Sequence, residues 1–544
     1  MVYLTLGTLV LCALFLGKAY HIDDTLLIWT AQQIASHPAD YYGFDVNWYG
    51  FYAPIAHIFL NPPGAAYYAA AFGAIFGWSE PVMRGSVALI AVALVLGVYW
   101  LARQMKGDPL PAAVIALVSP GILVSTGTMM TDVPMTALWI WATVLWLRGL
   151  DARQPVLNAV SGLLIAISAL TKYFAIALVP LLMVYTLLSG RKRWVRAVWL
   201  LIPVALVGLL DLYTLRNYGI SHLLESSAIL EEFYQRYTLD VGRKILTGLV
   251  FLGAGAAPAL FIAPWLWDRA GRRALYAAGA IVAAATAVLA WSGWQIGESQ
   301  TSYSWWFWPQ YGLWLAGGIH IIALALADVW QRRDRDAVLL ALWLGGTLYF
   351  GMFVNHFVNI RVILPALPAV AILCARRLRM RSEAGAPLDS APSSVGSASP
   401  RAVWAGMAAA LALSLCVAYA DMRLANSART AAVHIAPEKR KGRTWFSGHW
   451  GFQYYMEARG AKPIDTRNPD LRPGDTIVTP MSGSNRIKIG NRGAYIDESF
   501  DVPVCSWLTT MRVDCGAGFY SDFWGPLPFV FGPVPPERYE VIIP

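Results

Sequence analysis

Long apolar runs separated by short polar turns dominate the chain from Met1 to about Ala420. A helix rises 1.5 Å per residue and the hydrocarbon core of a bilayer is about 30 Å thick, so runs near 20 residues predict membrane helices. The pattern places them near 2–19, 82–103, 109–127, 133–150, 156–171, 173–189, 195–215, 246–267, 274–293, 306–328, 337–355, 360–376 and 402–420, about 13 spans. An odd number puts the two termini on opposite sides. The run from Met1 to Gly17 lacks a basic leader and an A-x-A-like cleavage site, so it reads as a retained helix rather than a signal peptide. Residues 381–401, "RSEAGAPLDSAPSSVGSASPR", have no periodicity and read as a Ser/Pro/Ala-rich linker. Residues 421–544 are polar enough for a small soluble α/β domain. There "RTWFSG" and "GDTIVTP" predict strands, and "HWGFQYYMEARG" a helix ended by Gly460. The expected organisation is a polytopic helical membrane domain over 1–380, the linker, a last span at 402–420 and the soluble domain.

Composition agrees with a membrane protein. The chain is 57% hydrophobic and 14% charged, against about 25% charged in soluble domains. Its 42 basic and 33 acidic residues give a net charge of +9, which in a soluble chain would suggest nucleic acid. Here the cations sit in alternate turns between apolar runs: Arg103 and Lys106; Arg148 and Arg153; Arg191, Lys192, Arg193 and Arg196; Arg269, Arg272 and Arg273; Arg332, Arg333 and Arg335; and Arg376, Arg377, Arg379 and Arg381. That is the mark of cytoplasmic loops, and it removes nucleic acid as a partner. The opposite loops, 20–81, 216–245 and 294–305, are longer and rich in aromatics, and "SYSWWFWPQYGLW" reads as an interfacial belt. The expected topology has a cytoplasmic amino terminus, a cytoplasmic linker and an extracytoplasmic 421–544 in the cell membrane. Lys18, at the outer end of the first run, goes against that orientation. Cys12, Cys374 and Cys416 fall in or at membrane helices. Cys505 and Cys515 fall in the external domain, where a disulfide is allowed but not dictated. No repeat of the solenoid or inverted-transporter kind is visible.

Ionisable groups at a lipid boundary need a reason. In "HIDDTLLIWTAQQIAS", Asp23 and Asp24 follow the first run. Either caps the coming helix well, but one carboxylate suffices, and a second adds repulsion that suits a general base or a metal site. "STGTMMTDVPMTALW" places Asp132 at a second external turn, where capping with Pro134 is again a sufficient local account. Lys172 is the sole charge of the apolar stretch 156–189, and Arg361 opens a later run with His356 close by. Each reads either as a snorkelling cation or as a partner for a lipid phosphate. His57, in "FYAPIAHIFLNPPG", reads as an interfacial aromatic or a weaker site candidate, and the "NPP" at 61–63 forces an extended entry into the next segment.

Taken in order, an acidic pair after the first helix, a Pro-Pro segment, a T-D-x-P acid, a Thr-Lys-Tyr turn and "RVILPALPAVAIL" resemble the GT-C superfamily of membrane glycosyltransferases. The resemblance is to the branch of protein O-mannosyltransferases and the lipid A aminoarabinose transferase. It implies a catalytic membrane domain that moves a sugar from a polyprenyl-phosphate donor to a lipid, glycan or protein acceptor at the external face, usually with inversion. It implies Asp23 as general base, Asp24 in the place where many members have Glu, and Asp132 as an acid for acceptor or metal. Lys172 and Arg361 stand at the donor phosphate. His57 departs from the family's His-Pro-Pro pattern, since Asn61 precedes the prolines. Metal use differs within the family; if a divalent ion is used, Asp24 and Asp132 are its candidate ligands. Two other classes compete: a transporter or lipid flippase, which would favour charges buried mid-helix, and a non-enzymatic assembly protein binding through its soluble domain.

Overall fold

The computed structural model describes residues 1–226, 228, 240–293, 303–384, 400–440, 442–483 and 495–543. Seven helices among these are long and apolar enough to cross a membrane: Glu80–Gln104, Asp132–Asp151, Arg191–Tyr218, Arg269–Trp291, Phe307–Arg332, Arg335–Val354 and Arg401–Lys439. Each falls on an apolar run of the sequence, and together they make the chain a multi-pass membrane protein. The run at 109–127 folds as two helices, Pro109–Leu117 and Pro120–Thr126, bent by 61°; taken as one span, it brings the number to eight.

The remaining five expected spans are not continuous long helices. At 2–19, 156–171 and 173–189 the helical segments are short: Val2–Ala13, Pro155–Ala169 and Tyr173–Leu188. At 246–267 the chain forms three pieces, Val241–Gly255, Ala257–Phe261 and Ala263–Leu266, and at 360–376 it forms Ile360–Ile363, Leu364–Ala366 and Leu367–Ala384. Proline stands in the opening turn of Ala257–Phe261, Ala263–Leu266 and Leu364–Ala366. A proline ring removes one backbone donor and clashes with the carbonyl four residues back, so the helix must restart there. Gly64–Phe76 is a further short apolar helix, on a run not predicted as an element.

The turns gather at two ends. At one end Arg335 pairs with Asp151, Arg376 with Asp328 and Asp334, and Arg377 donates to the Leu266 carbonyl. These are the arginine-bearing turns of the sequence, gathered together. The acid-bearing turns meet at the other end, and the C-terminal segment lies on them.

Its main sheet has the order Lys462–Pro463, Thr444–Phe446, Thr476–Pro480, Glu537–Ile543, Tyr495–Val502. The first two pairings are parallel and the last two antiparallel. All five residues of Thr476–Pro480 are buried, as a strand covered on both faces requires. Tyr495–Val502 is mostly exposed and carries Asp497, Glu498 and Asp501, charges that protect an edge from pairing with other chains. Helix Trp450–Glu457 stands where the sequence placed it and lies hard against the turn that follows the first helix. A Cβ on Gly451 would come within 2.0 Å of the Tyr20 carbonyl oxygen, so only glycine allows that approach.

Lys18 is not a loop charge. It is buried and pairs with Asp421 on the helix Pro400–Ile435, while Tyr520 and Thr510 donate to the same carboxylate. The orientation argument therefore loses its one contrary residue. Cys505 and Cys515 are both free thiols. Most of the expected linker, 385–399, lies outside the described residues.

Candidate active site

The turn "HIDD" separates the two aspartates. Ile22 has φ +50°, in the left-handed region that a β-branched side chain rarely occupies, so the turn is strained. Asp24 points inward and is fully buried. Its Oδ2 accepts from Arg84 Nη2 at 2.7 Å and from the His21 N–H at 2.9 Å, and its Oδ1 accepts from the Met129 N–H at 2.7 Å. Asp24 thus ties the first external turn to helix Glu80–Gln104 and to the turn that precedes Asp132. Asp23 is 32% exposed, and its Oδ2 accepts from Arg361 Nη1 at 2.8 Å. Neither carboxylate caps the helix Asp24–Ser36, so the capping account fails for both.

Asp132 is 1% exposed and also does not cap its helix. Its Oδ2 accepts from Arg361 Nε at 3.0 Å and its Oδ1 from the Lys172 ammonium. Asp23, Arg361, Asp132 and Lys172 therefore form one chain of charges in which Arg361 bridges the two acids. Two carboxylates and two cations balance, which is what permits so many charges at a partly dry site.

Local chemistry positions each cation. Helix Pro155–Ala169 ends just before Lys172, whose N–H still reaches the Ser168 carbonyl at 2.9 Å. The Asn-Pro-Pro-Gly turn braces this end: the Gly64 N–H donates to the Leu170 carbonyl at 2.8 Å, and a Cβ on Gly64 would lie 2.6 Å from that oxygen. Arg361 sits on the short helix Ile360–Ile363, capped by the Asn359 side chain, which accepts from the Val362 N–H at 2.9 Å. The approach to that helix is held from two sides. Lys244 donates to the Asn355 and His356 carbonyls. The C-terminal segment supplies the Phe519 carbonyl to the Ile360 N–H at 3.0 Å and the Asp522 N–H to the Val358 carbonyl at 2.9 Å.

Four of the six residues singled out in the sequence thus converge, and two do not. Asp24 is held by Arg84 and two backbone N–H groups, apart from the chain of Asp23, Arg361, Asp132 and Lys172. His57 is exposed on the turn Ile55–His57, where its charge bears on His222. Asp24 and Asp132 do not fit a shared divalent ion: every oxygen of both already accepts from a cation or a backbone N–H. Among the described residues no group of three or more His, Cys, Asp or Glu is arranged for a metal. Arg84 and Lys244 were missed. Arg84 did leave a signal, as the only cation in the first turns of the apolar run beginning at 82.

Around Asp23 the wall is aromatic. Burial and the Asp23 charge push the Tyr49 phenol above its ordinary range, and Tyr49 meets His449 edge-on at 6.4 Å. A separate apolar cavity of about 1090 Å³ opens between helices Arg269–Trp291 and Phe307–Arg332, and none of the four network residues lines it. Helices Phe307–Arg332 and Val241–Gly255 both stand between that cavity and Arg361: Gly253 packs on Trp314 and Gly318, which do not line the cavity, and Gly255 touches Ile360 on its other side.

Residues 60–214 match the family model of dolichyl-phosphate-mannose-protein mannosyltransferases. The matched stretch includes Asp132 and Lys172, and on it the chain resembles membrane glycosyltransferases of the GT-C kind. The oligosaccharyltransferase of Archaeoglobus fulgidus, tethered to an acceptor peptide, is similar at 15% identity and a TM-score of 0.49 over 85% of this chain, which spans 64% of its length. ArnT from Cupriavidus metallidurans, bound to undecaprenyl phosphate, is similar at 16% identity and a TM-score of 0.45, over 88% of this chain and 92% of its own. The arabinofuranosyltransferase AftD from Mycobacteria is similar at 15% identity and a TM-score of 0.42, over 99% of this chain and 39% of its own. No curated protein sequence matches the chain. Likeness this distant carries no activity across, so the function is argued from the residues.

Proposed function

We propose that this protein is a glycosyltransferase that moves a sugar from a polyprenyl-phosphate donor to an acceptor hydroxyl at the extracytoplasmic face, with inversion and with Asp23 as general base. The observation that carries the reading is the bridge from Asp23 through Arg361 to Asp132 and Lys172. It puts an accessible carboxylate beside two cations, and transfer from a phosphate leaving group needs that pair of functions. The acceptor hydroxyl attacks the anomeric carbon as Asp23 takes its proton, and the carbon–oxygen bond to phosphate breaks with its electron pair staying on the phosphate. Arg361 and Lys172 lie where they can offset the charge that develops there. Asp132 holds both cations in place and keeps the donor-free site neutral. The 60–214 match supports the same class. Nucleotide sugars are confined to the cytoplasm, so a site on the acid-bearing face points to a lipid-linked donor. The residues at hand supply the base and the phosphate cations.

Purified protein reconstituted with polyprenyl-phosphate sugars and a mixed pool of lipid, glycan and peptide acceptors tests the proposal. Transfer that depends on Asp23 supports it. Movement of the donor lipid between leaflets without transfer would replace it with a flippase.

A further inference from the structure

A second cleft, of about 410 Å³, lies on the same face. Its walls come from three places: Trp29, Gln32 and Gln33 on helix Asp24–Ser36, Asp45 and Tyr52 on the hairpin that pairs Asp45–Asn47 with Tyr52–Pro54, and Glu457 at the end of helix Trp450–Glu457. The size suits a small-ligand site, commonly about 300–1,000 Å³. Two carboxylates and three amides line it and no lysine or arginine does, so phosphorylated or acidic groups are poor occupants. Tyr52, half exposed, and Trp29 add ring faces. Flat ring faces beside planar amides and carboxylates suit polyhydroxylated rings, which offer an apolar C–H face and an edge of hydroxyls that both donate and accept.

Glu457 is built for neutral hydroxyls. Its Oε1 accepts from Gln453 Nε2 at 2.7 Å, and the same nitrogen donates to the Asn47 carbonyl, which fixes the carboxyl against the hairpin. Burial pushes its pKa up to about 7, so near neutrality it is often a protonated acid that can donate as well as accept.

The cleft is joined to Asp23. Trp29 meets Trp48 edge-on at 6.5 Å, Trp48 stacks on His449 at 4.7 Å, and His449 meets Tyr49, whose phenol feels the Asp23 charge. Along the helix, Gln33 stands ten residues beyond Asp23, or about 15 Å at 1.5 Å per residue. That is the length of a few sugar units, alongside a run of ring contacts in which Trp48 is buried.

We infer that the cleft and this aromatic path form an extended acceptor subsite, so that the acceptor is a saccharide chain whose inner sugars rest between Tyr52 and Glu457 while its growing end reaches Asp23. The inference rests on the transferase reading and names the acceptor class.

The test uses the full chain in detergent micelles and saturation-transfer NMR with three probes: linear tetrasaccharides of mannose, glucose and arabinofuranose. At least one should bind. Tyr52→Ala should weaken that binding about five-fold or more, as should Gln32→Ala, a second, half-buried wall position that keeps the test available if the first variant unfolds. Failure of all three probes, equal affinity in both cleft variants, or preferential binding of a Ser/Thr-rich peptide would overturn the inference. The two readings separate cleanly. Sugar transfer without tetrasaccharide binding sinks the subsite alone, and tetrasaccharide binding without transfer from any lipid-linked donor sinks the transferase alone.

Discussion

Replacing each member of the Asp-Asp pair by asparagine should produce two different failures. Asp24→Asn turns one oxygen into an amide donor while keeping the shape. If that amide faces Arg84, a buried guanidinium loses its counter-charge; if it faces Met129, a donor meets a donor. Breaking a buried ion pair from one side costs about 3–5 kcal/mol. Against a total stability of about 5–15 kcal/mol for an ordinary domain, that is a large share. Asp23 is a third exposed and has one charged partner, so Asp23→Asn should cost less than about 1 kcal/mol. It removes the base, however, and transfer should fall by about 10²–10⁴-fold. Thermal unfolding in detergent and single-turnover transfer, run on both variants, measure the two axes separately. The expected pattern is an unstable Asp24→Asn whose folded fraction still turns over, and a stable Asp23→Asn that does not. A wild-type melting curve for Asp24→Asn together with normal turnover in Asp23→Asn would refute the division of labour.

Three further outcomes follow from the geometry. Lys172→Ala should weaken binding of a polyprenyl-phosphate analogue by about 10–150-fold, the worth of one charged hydrogen bond, while Lys172→Arg keeps part of it; titration of the analogue into all three proteins checks this, and equal affinities would leave Lys172 as a helix anchor. Lys18→Met should destabilise the junction with the C-terminal segment by about 3–5 kcal/mol, seen as faster limited proteolysis after 421, and Lys18→Met with Asp421→Leu should recover only part because Tyr520 and Thr510 lose their acceptor. Glu457 has a folded pKa of about 7 against 4.5 for the free side chain, so folding is penalised as pH rises from about 4.5 to 7 and the penalty is then constant, at about 3 kcal/mol. Melting temperatures of wild type should therefore fall over that window relative to Glu457→Gln, and parallel pH profiles would show that the carboxyl is not held neutral.

The sequence made the apolar spans and the four convergent charges readable for the same reason: both are compositional contrasts, an apolar run against polar turns and a lone charge against an apolar run. Lys172 and Arg361 stood out because nothing near them in sequence explains a cation. What it hid were partners. Asp23 and Asp24 are neighbours with one local pattern, yet their fates are set by Arg361 and Arg84, each far away along the chain. Lys18 looked like a topological exception until Asp421 accounted for it. The broken segments at 246–267 and 360–376 were legible in part, since Pro258, Pro264 and Pro365 are plain in the sequence, but hydropathy alone joined what the backbone must separate.

The two main-chain hydrogen bonds that hold the Arg361 loop, to Phe519 and from Asp522, tie the site to the order of synthesis. Every membrane-spanning helix, together with Asp23, Asp132, Lys172 and Arg361 themselves, leaves the ribosome before residues 519–522 do. Until that segment arrives, the Ile360 N–H and the Val358 carbonyl lack these partners, and Lys244 alone braces the loop that leads to the guanidinium. The loop that carries Arg361 is therefore completed only after residues 519–522 have emerged, and a nascent chain halted before them would hold all four charges but lack these two backbone braces.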